Sequence, residues 1–315
     1  MIQPKLLFIE RMKKLLPDVS DFVKFNEIIH EKPLSSIRCN TLKISPDELK
    51  KRLEEKGWKI VQPYTQNPEI MIVESELLPG ELGKAIEHLL GYYYVQEISS
   101  MMPVLALKPE AGEIVLDLCA SPGSKTTQMS ARMANQGTII ANDVAIDRIR
   151  ILNANLERCG CSNIIITRHD AVQLCERLKK TGIKFDKILL DVPCSGEGNT
   201  RSNPKTFIMW NEKMIYKLAR LQRKIIGSAI QLLKEDGTLV YSTCTYAPEE
   251  NEENADFLLK NFSLETEKIN LPVKTRQGIS EWEGKKFDKQ LENAVRIYPQ
   301  DNDTEGFFLA KLRKI

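Results

Sequence analysis

The rhythm of apolar and polar positions changes near residue 110. Before it, short apolar runs alternate with one clear helical pattern. Residues 37–42 read as a short strand. Ser45-Pro46-Asp47-Glu48 opens a helix, with Ser45 as N-cap, Pro46 in the first turn and Glu48 three residues on. That helix runs to about Lys56 and stops at Gly57. Residues 58–61 and 70–74 follow as strands, 80–89 as a helix and 91–95 as a further strand, leading into a helix over 99–107. A β-α-β-β-α-β order predicts a small α+β domain of ferredoxin-like or RNA-recognition type within residues 1–109.

After residue 110 the alternation becomes regular. Strands are expected at 114–119, 138–142, 164–167, 187–190 and 238–242, and helices at 124–133, 145–159 and 214–234. Strands alternating with helices imply a parallel sheet covered on both faces, an α/β domain over residues 110–315. In such a sheet ligands sit beyond the carboxyl ends of the strands.

Composition narrows the classes. A chain of 315 residues has room for two domains, and 42% hydrophobic with 28% charged residues is ordinary for a globular protein. No apolar run approaches the ~18 residues of a membrane span. The opening MIQPKLLFIERMKKLLPD mixes charges among its apolar residues and so lacks a signal-peptide core. A cytoplasmic protein, without a membrane partner and expected to be a monomer, follows. The seven cysteines are odd in number and contain no C-x-x-C pair, so neither a disulfide scaffold nor a metal site is expected. The net charge of +2 says little, but Arg201, Lys205, Lys213, Lys217, Arg220, Arg223 and Lys224 are opposed only by Glu212. Such a face can hold phosphates or can simply be solvated.

The strand ending at Leu118 runs into Cys119-Ala120-Ser121-Pro122-Gly123-Ser124-Lys125. A glycine between strand and helix lets backbone N–H groups approach a ligand. The G-x-G-x-x-G and P-loop spacings both fail, so a ligand without a pyrophosphate is expected, and S-adenosylmethionine (AdoMet) is such a ligand. The following strands each end near an acid: Asp143, Asp170 and Asp191. Asp143 is placed to accept from ribose hydroxyls and Asp170 to bond an adenine amino group. Each alone could equally be a helix N-cap.

Two cysteines follow strands in the same region, in Asp191-Val192-Pro193-Cys194-Ser195-Gly196 and in Ser242-Thr243-Cys244-Thr245-Tyr246. Cytosine C5 is a poor nucleophile, and a thiolate adding to C6 makes it reactive toward a methyl donor. Asp191 beside N3 would stabilise that adduct. Methylation of an exocyclic amine needs no thiol and uses D-P-P-Y or N-P-P-Y, which this chain lacks. An acidic helix start over 248–253 is expected to favour a thiolate at Cys244.

DLCASPGSKT, DVPCSGEG with RSNP, and STCTY resemble the signature motifs of the RNA 5-methylcytosine methyltransferases of the Nop2/Sun (Fmu) family, in its archaeal or bacterial form. RCNTLK, YYYVQEISSMMP and the terminal DTEGFFLAKL also match, so the likeness spans roughly Arg38 to Leu312. The resemblance implies an AdoMet-dependent Rossmann-like methyltransferase sheet preceded by a small α+β RNA-binding domain of RNA-recognition type. It implies Cys244 as nucleophile, Cys194 in product release, and Lys125 near the methyl-transfer centre. It assigns Cys119 to Lys125, Asp143, Arg148, Asp170 and Asp191 to the AdoMet site. Ser121 stands where a second alanine is common and Gln300 where histidine is frequent, a change bearing on RNA contact. No appended RNA-binding domain is expected after Leu312. The expected substrate is tRNA in preference to rRNA. The competing readings are a non-catalytic RNA assembly factor, against which Cys194, Cys244, Asp191 and Lys125 argue, and a small-molecule methyltransferase, against which the N-terminal domain argues.

Overall fold

In the computed structural model, which describes residues 2–315, two helices precede the first predicted strand: Leu6–Leu15 and Val19–Ile28. The strand and helix spacing of the first domain gives no sign of them, because their partners lie some 200 residues away. Phe8, Met12 and Phe25 bury against Phe207, Trp210, Tyr246 and Tyr298. Phe8 meets Phe207 and Trp210 edge-on, with ring centroids 5.5 and 5.7 Å away.

Four strands follow: β1 (Ser35–Cys39), β2 (Ile60–Val61), β3 (Ile70–Val73) and β4 (Tyr93–Val95). They pair antiparallel in the order β2-β3-β1-β4. The helix Pro46–Glu55, capped by the Ser45 hydroxyl, and the short helices Glu81–Lys84 and Ile86–Leu89 complete the expected β-α-β-β-α-β order. Strand periodicity divides the sheet into two faces. Ile37, Cys39, Met71, Val73 and Tyr93 pack on Leu49 and Leu53 of the domain's own helix. Arg38 and Tyr94, paired across β1 and β4, and Ile70 point the other way, into the second domain.

That orientation decides how the sheet is used. A sheet of RNA-recognition type stacks bases on its open face. Here the face is closed: the Arg38 guanidinium donates to the Ser124 carbonyl (2.6 Å), to Thr127 Oγ1 (2.8 Å) and to Gln96. The RCNTLK motif is thus part of a domain interface. Asn40 and Lys43 donate to the Cys159 and Arg158 carbonyls at 2.8 and 2.7 Å, satisfying the C-terminal end of the helix Ile146–Cys159.

The second sheet contains β5 (Ile114–Asp117), β6 (Thr138–Asp143), β7 (Ile164–Arg168), β8 (Phe185–Asp191) and β9 (Leu233–Thr243), then β10 (Leu264–Thr266) and β11 (Arg276–Gln277). A separate hairpin, β12 (Glu281–Trp282) with β13 (Lys285–Lys286), intervenes before β14 (Val295–Ile297) and β15 (Phe307–Lys314). The order is β7-β6-β5-β8-β9-β15-β14-β11, with β10 on β15. Strands β5 to β9 are parallel, and β15, β14 and β11 continue antiparallel. Strand order reverses between β5 and β8, which opens a crevice at their carboxyl ends.

Both faces of the parallel strands are apolar. Leu116, Ile188, Leu190 and Leu239 pack on Leu174, Ile226 and Leu258, while Val115, Ile139, Leu189 and Val240 pack on Met101, Val104 and Met129. The helix Ile98–Leu107 therefore belongs to the core of the large sheet. The long amphipathic helix runs over Glu212–Ala229, shorter than the expected 214–234. A 3-10 turn then delivers Leu233 into register with Phe185 of β8. Among the described residues, no helix is long and apolar enough to cross a membrane, and no cluster of three His, Cys, Asp or Glu residues is placed to hold a metal.

Candidate active site

A cavity of about 650 Å³ lies at the carboxyl ends of β5 to β9. Every residue singled out for the cofactor or the chemistry lines it, except Gly123. Gly123 supplies the turn instead. Its φ of +103° is a left-handed conformation, and a Cβ there would stand 3.0 Å from Leu152 Cδ1. Beyond it the helix Ser124–Arg132 begins and carries Lys125 back over the cavity.

Asp143 ends β6 and is almost buried. Arg148 donates through Nε to both of its oxygens at 3.0 Å and through Nη2 to the Ser121 carbonyl at 2.7 Å. The arginine thus ties the loop after β5 to the end of β6. Asp170 caps the helix Ala171–Thr181, accepting from Val172 N at 3.0 Å and Gln173 N at 3.1 Å, and also lines the cavity. Asp170 thus caps its helix while standing on the cavity wall. Asn142 was not singled out from the sequence, yet its amide donates to the Leu118 and His169 carbonyls and accepts from Thr167. It thereby fixes the ends of β5, β6 and β7 together.

The donor set suits a nucleoside with a charged tail and no pyrophosphate. Asp143 has acceptor capacity left after Arg148, since a carboxylate offers about four lone-pair sites. Leu118, Val144, Ala171 and Val192 provide apolar wall, and the volume is in the usual range for small-ligand sites. Asp117, at the end of β5, accepts from Thr126 Oγ1 at 2.7 Å. Burial pushes its carboxyl up to about 7, assisted by the Asp191 charge. Burial likewise pushes the Cys119 thiol well above its ordinary value, with Asp117, Asp191 and Asp143 adding to the effect, so Cys119 lines the site as a neutral group.

At the other end of the cavity Lys125 Nζ lies 2.7 Å from Asp191 Oδ2 and 3.0 Å from Ser100 Oγ. Asp191 Oδ1 accepts from Ser242 Oγ at 3.0 Å. Cys194 and Cys244 meet with their sulfurs 3.1 Å apart. The Cys194 thiol is held far above its usual range, first by its hydrogen bond to Cys244 and then by burial. Cys194 therefore keeps its proton, within hydrogen-bond distance of Cys244. Asn199 Nδ2 also lies 3.1 Å from the Cys244 sulfur.

One expectation about Cys244 fails. The helix after it begins at Glu252, and the N–H groups of the intervening turn are used by the Ala247 and Pro248 carbonyls. No helix N-terminus donates to the sulfur. The loop is held by two buried acids that sequence reasoning missed. Glu197 accepts from Trp210 Nε1 (2.6 Å), Thr245 Oγ1 (2.9 Å) and Tyr246 N (3.1 Å). Glu250 accepts from Ser195 N and Gln222 Nε2 at 3.1 and 2.7 Å. A Ser195–Thr245 hydroxyl bond of 2.7 Å joins the two thiol loops directly. Gly198 N donates to the Cys244 carbonyl at 2.9 Å, an approach only glycine allows, because a Cβ at residue 198 would collide with the backbone of Gly306. The sequence signals for these acids were the place of Glu197 inside DVPCSGEG and of Glu250 in the acidic stretch that follows STCTY.

The basic stretch also resolves. Arg201 is buried and donates to the Thr304 carbonyl and Asp303, and Arg223 pairs with Glu253 and Asn254. Lys213, Lys217, Arg220 and Lys224 recur at helical spacing on one exposed stripe, with no ion-pair partner among the described residues.

Comparison with known proteins agrees with this architecture. Residues 104–313 match the family model described as 16S rRNA methyltransferase RsmB/F, and residues 5–98 match the N-terminal domain of 16S rRNA methyltransferase RsmF. A tRNA (cytosine(49)-C(5))-methyltransferase of Pyrococcus abyssi is 43% identical, over 97% of this chain and 95% of the relative. The ribosomal RNA small subunit methyltransferase F of Psychromonas ingrahamii is 40% identical over 98% of this chain, which spans only 62% of that relative's length. A crystal structure of a methyltransferase homolog protein from Pyrococcus horikoshii superposes with a TM-score of 0.82 at 34% identity, covering 93% of this chain and 90% of the other. The chain belongs to the RsmB/F family of AdoMet-dependent RNA cytosine-C5 methyltransferases, the Nop2/Sun type, and carries the RsmF-type N-terminal domain.

Proposed function

We propose that this protein methylates C5 of a cytosine in tRNA through a covalent bond between Cys244 and C6, with Cys194 acting in release. The observation that carries the division of labour is the thiol pair. The two sulfurs lie 3.1 Å apart, and the raised Cys194 thiol marks Cys194 as the partner that keeps its proton. Only a thiolate adds efficiently to the pyrimidine. Bound AdoMet supplies an electrophilic methyl group on a sulfonium centre; Asp143, Asp170, Arg148 and residues 119–125 would hold it.

Addition of the Cys244 sulfur to C6 moves electron density to C5 and toward N3, which would take up the proton held between Lys125 and Asp191. Lys125 fixes the Asp191 carboxylate from one side and Ser242 from the other. After methylation the C5 proton must leave, and its bonding electrons expel the Cys244 thiolate. Once Cys244 is a neutral thioether, the neighbouring charge that keeps Cys194 protonated is gone. Cys194 would then pass its own proton to solvent water at the open side of the cavity and, as a thiolate, take the C5 proton.

The RNA target is inferred from the relatives. The archaeal tRNA (cytosine(49)-C(5))-methyltransferase is 43% identical to this chain, against 40% for the Psychromonas ingrahamii rRNA enzyme. The stripe of Lys213, Lys217, Arg220 and Lys224 supports RNA contact at the cavity mouth, since Leu221 and Ile225 of the same helix line that cavity.

Incubation with methyl-labelled AdoMet and, separately, tRNA and 16S rRNA, followed by nucleoside analysis, tests the target. The expected product is 5-methylcytosine in tRNA; label confined to rRNA overturns that choice. Cys244→Ala should abolish methylation and any covalent RNA adduct. Cys194→Ala should methylate and then stall, leaving a slow band on a denaturing gel. The reverse pattern moves the nucleophile to Cys194, and activity in both variants without adduct rules out covalent catalysis.

A further inference from the structure

A thiolate nucleophile is normally stabilised by a cation, a helix N-terminus or a metal. Cys244 has none of these within hydrogen-bond reach. Lys125 is committed to Asp191 and Ser100, and beyond Cys244 Tyr246 N donates to Glu197, Ala247 N to Thr245 Oγ1, and Glu250 N and Asn251 N to the Ala247 carbonyl. The polar atoms recorded against the Cys244 sulfur are Cys194 Sγ and Asn199 Nδ2, each at 3.1 Å.

Asn199 closes the short 3-10 turn Glu197–Asn199, and its side chain lines the cavity. Its place relative to the sulfur is fixed through the backbone. Gly198 N donates to the Cys244 carbonyl, Gly306 N donates to the Gly198 carbonyl, and Asn203 N donates to the Asn199 carbonyl, each at 2.9 Å. Glu197, at the start of the same turn, holds Thr245 and Tyr246. The amide and the sulfur therefore belong to one rigid unit.

We propose that Asn199, beside the Cys194 thiol, is a hydrogen-bond donor that stabilises the Cys244 thiolate and aims its sulfur into the cavity. This rests on the reading of Cys244 as nucleophile. A carboxamide N–H cannot ionise and bonds a charged acceptor more strongly than a neutral one. It therefore favours S⁻ over S–H without adding a charge that would have to be neutralised as the bond to C6 forms. The donor persists when the thiolate is expelled, so it assists the leaving group as well as the attack.

The test uses the whole protein without RNA or AdoMet. The rate of alkylation of Cys244 by iodoacetamide is followed by mass spectrometry of its peptide across pH 6 to 10. Asn199→Ala should slow alkylation about ten-fold near neutral pH, the effect of ~1.4 kcal/mol, with the profile displaced to higher pH and the rates converging at its alkaline end. Asn199→Asp has the same shape but offers only acceptors, so it should be slower still. In methylation assays kcat should fall while KM for RNA and for AdoMet holds. Wild-type alkylation profiles in both variants overturn the proposal. So does an Asn199→Asp profile matching wild type, because the atom facing the sulfur would then be an acceptor. Thermal unfolding of each variant separates a lost fold from a lost donor, and the isosteric aspartate serves if the alanine variant is unstable. Failure of the underlying reading looks different: Cys244→Ala would retain methylation and adduct, whatever residue 199 does to alkylation.

Discussion

Glu197→Gln is the sharpest probe of how the fold holds the Cys244 loop. Glu197 is 2% exposed, and its two oxygens take three donors: Trp210 Nε1, Thr245 Oγ1 and Tyr246 N. Glutamine has the same shape but only one carbonyl oxygen. Whichever way the amide is turned, its NH₂ faces either the Trp210 or the Tyr246 N–H, and that buried donor loses its partner. An unsatisfied buried donor costs roughly 1–3 kcal/mol. For a protein of this size that corresponds to a fall in Tm of roughly 2–4 °C per kcal/mol. The effect should concentrate on the loop, so methylation should fall further than the stability change alone explains. Trp210→Phe, introduced into the glutamine variant, removes one of the competing donors. Placed in a double-mutant cycle read by thermal unfolding, the two substitutions should couple by roughly 0.5–3 kcal/mol, with the phenylalanine costing less in the glutamine background. Additive effects, or a glutamine variant with wild-type Tm and wild-type methylation, would refute the account of Glu197 as the acceptor that organises this loop.

Asp143→Ala should weaken AdoMet binding by ~1.5–3 kcal/mol, the worth of a hydrogen bond to a charged acceptor, and calorimetry showing unchanged affinity would remove it from the site. Reversing charge at Lys217 and Lys224 should weaken tRNA binding and flatten its dependence on salt, while Arg223, paired with Glu253 and Asn254, should matter for stability more than for RNA. An unaltered salt slope would leave that helix face merely solvated. Burial raises the carboxyls of Glu250 to about 8, and of Asp117 and Glu305 to about 7. The folded state therefore binds more protons than the unfolded chain between about pH 4 and 8, and these groups contribute stability that is lost as pH rises through 7 and 8. Glu250→Gln should flatten the fall in unfolding free energy over pH 6 to 8, and an unchanged slope in urea titrations would count against a buried neutral Glu250.

Local sequence carried much of this protein. The βαββαβ spacing before residue 95 and the strand–helix alternation after residue 114 are visible because side-chain period and capping act over a few residues: Ser45 caps its own helix, and Asp170 caps the helix that follows it. The acids at strand ends and the two cysteine motifs were legible for the same reason, since a parallel sheet brings successive strand ends to one crevice. Tertiary structure decided what depended on distant partners. The helices Leu6–Leu15 and Val19–Ile28 find their core on residues 207–298. Arg38 turns the outer sheet face into a domain interface by reaching Ser124 and Thr127. Of seven basic residues in one stretch, burial assigned Arg201 and Arg223 to internal partners and left a stripe of lysine and arginine exposed. The sequence named Cys194 and Cys244 but could not say that their sulfurs meet, or that Glu197, Glu250 and Asn199 arrange them. Those contacts join residues about 45 to 55 positions apart, and only the packing of β8 beside β9 brings them within hydrogen-bond reach.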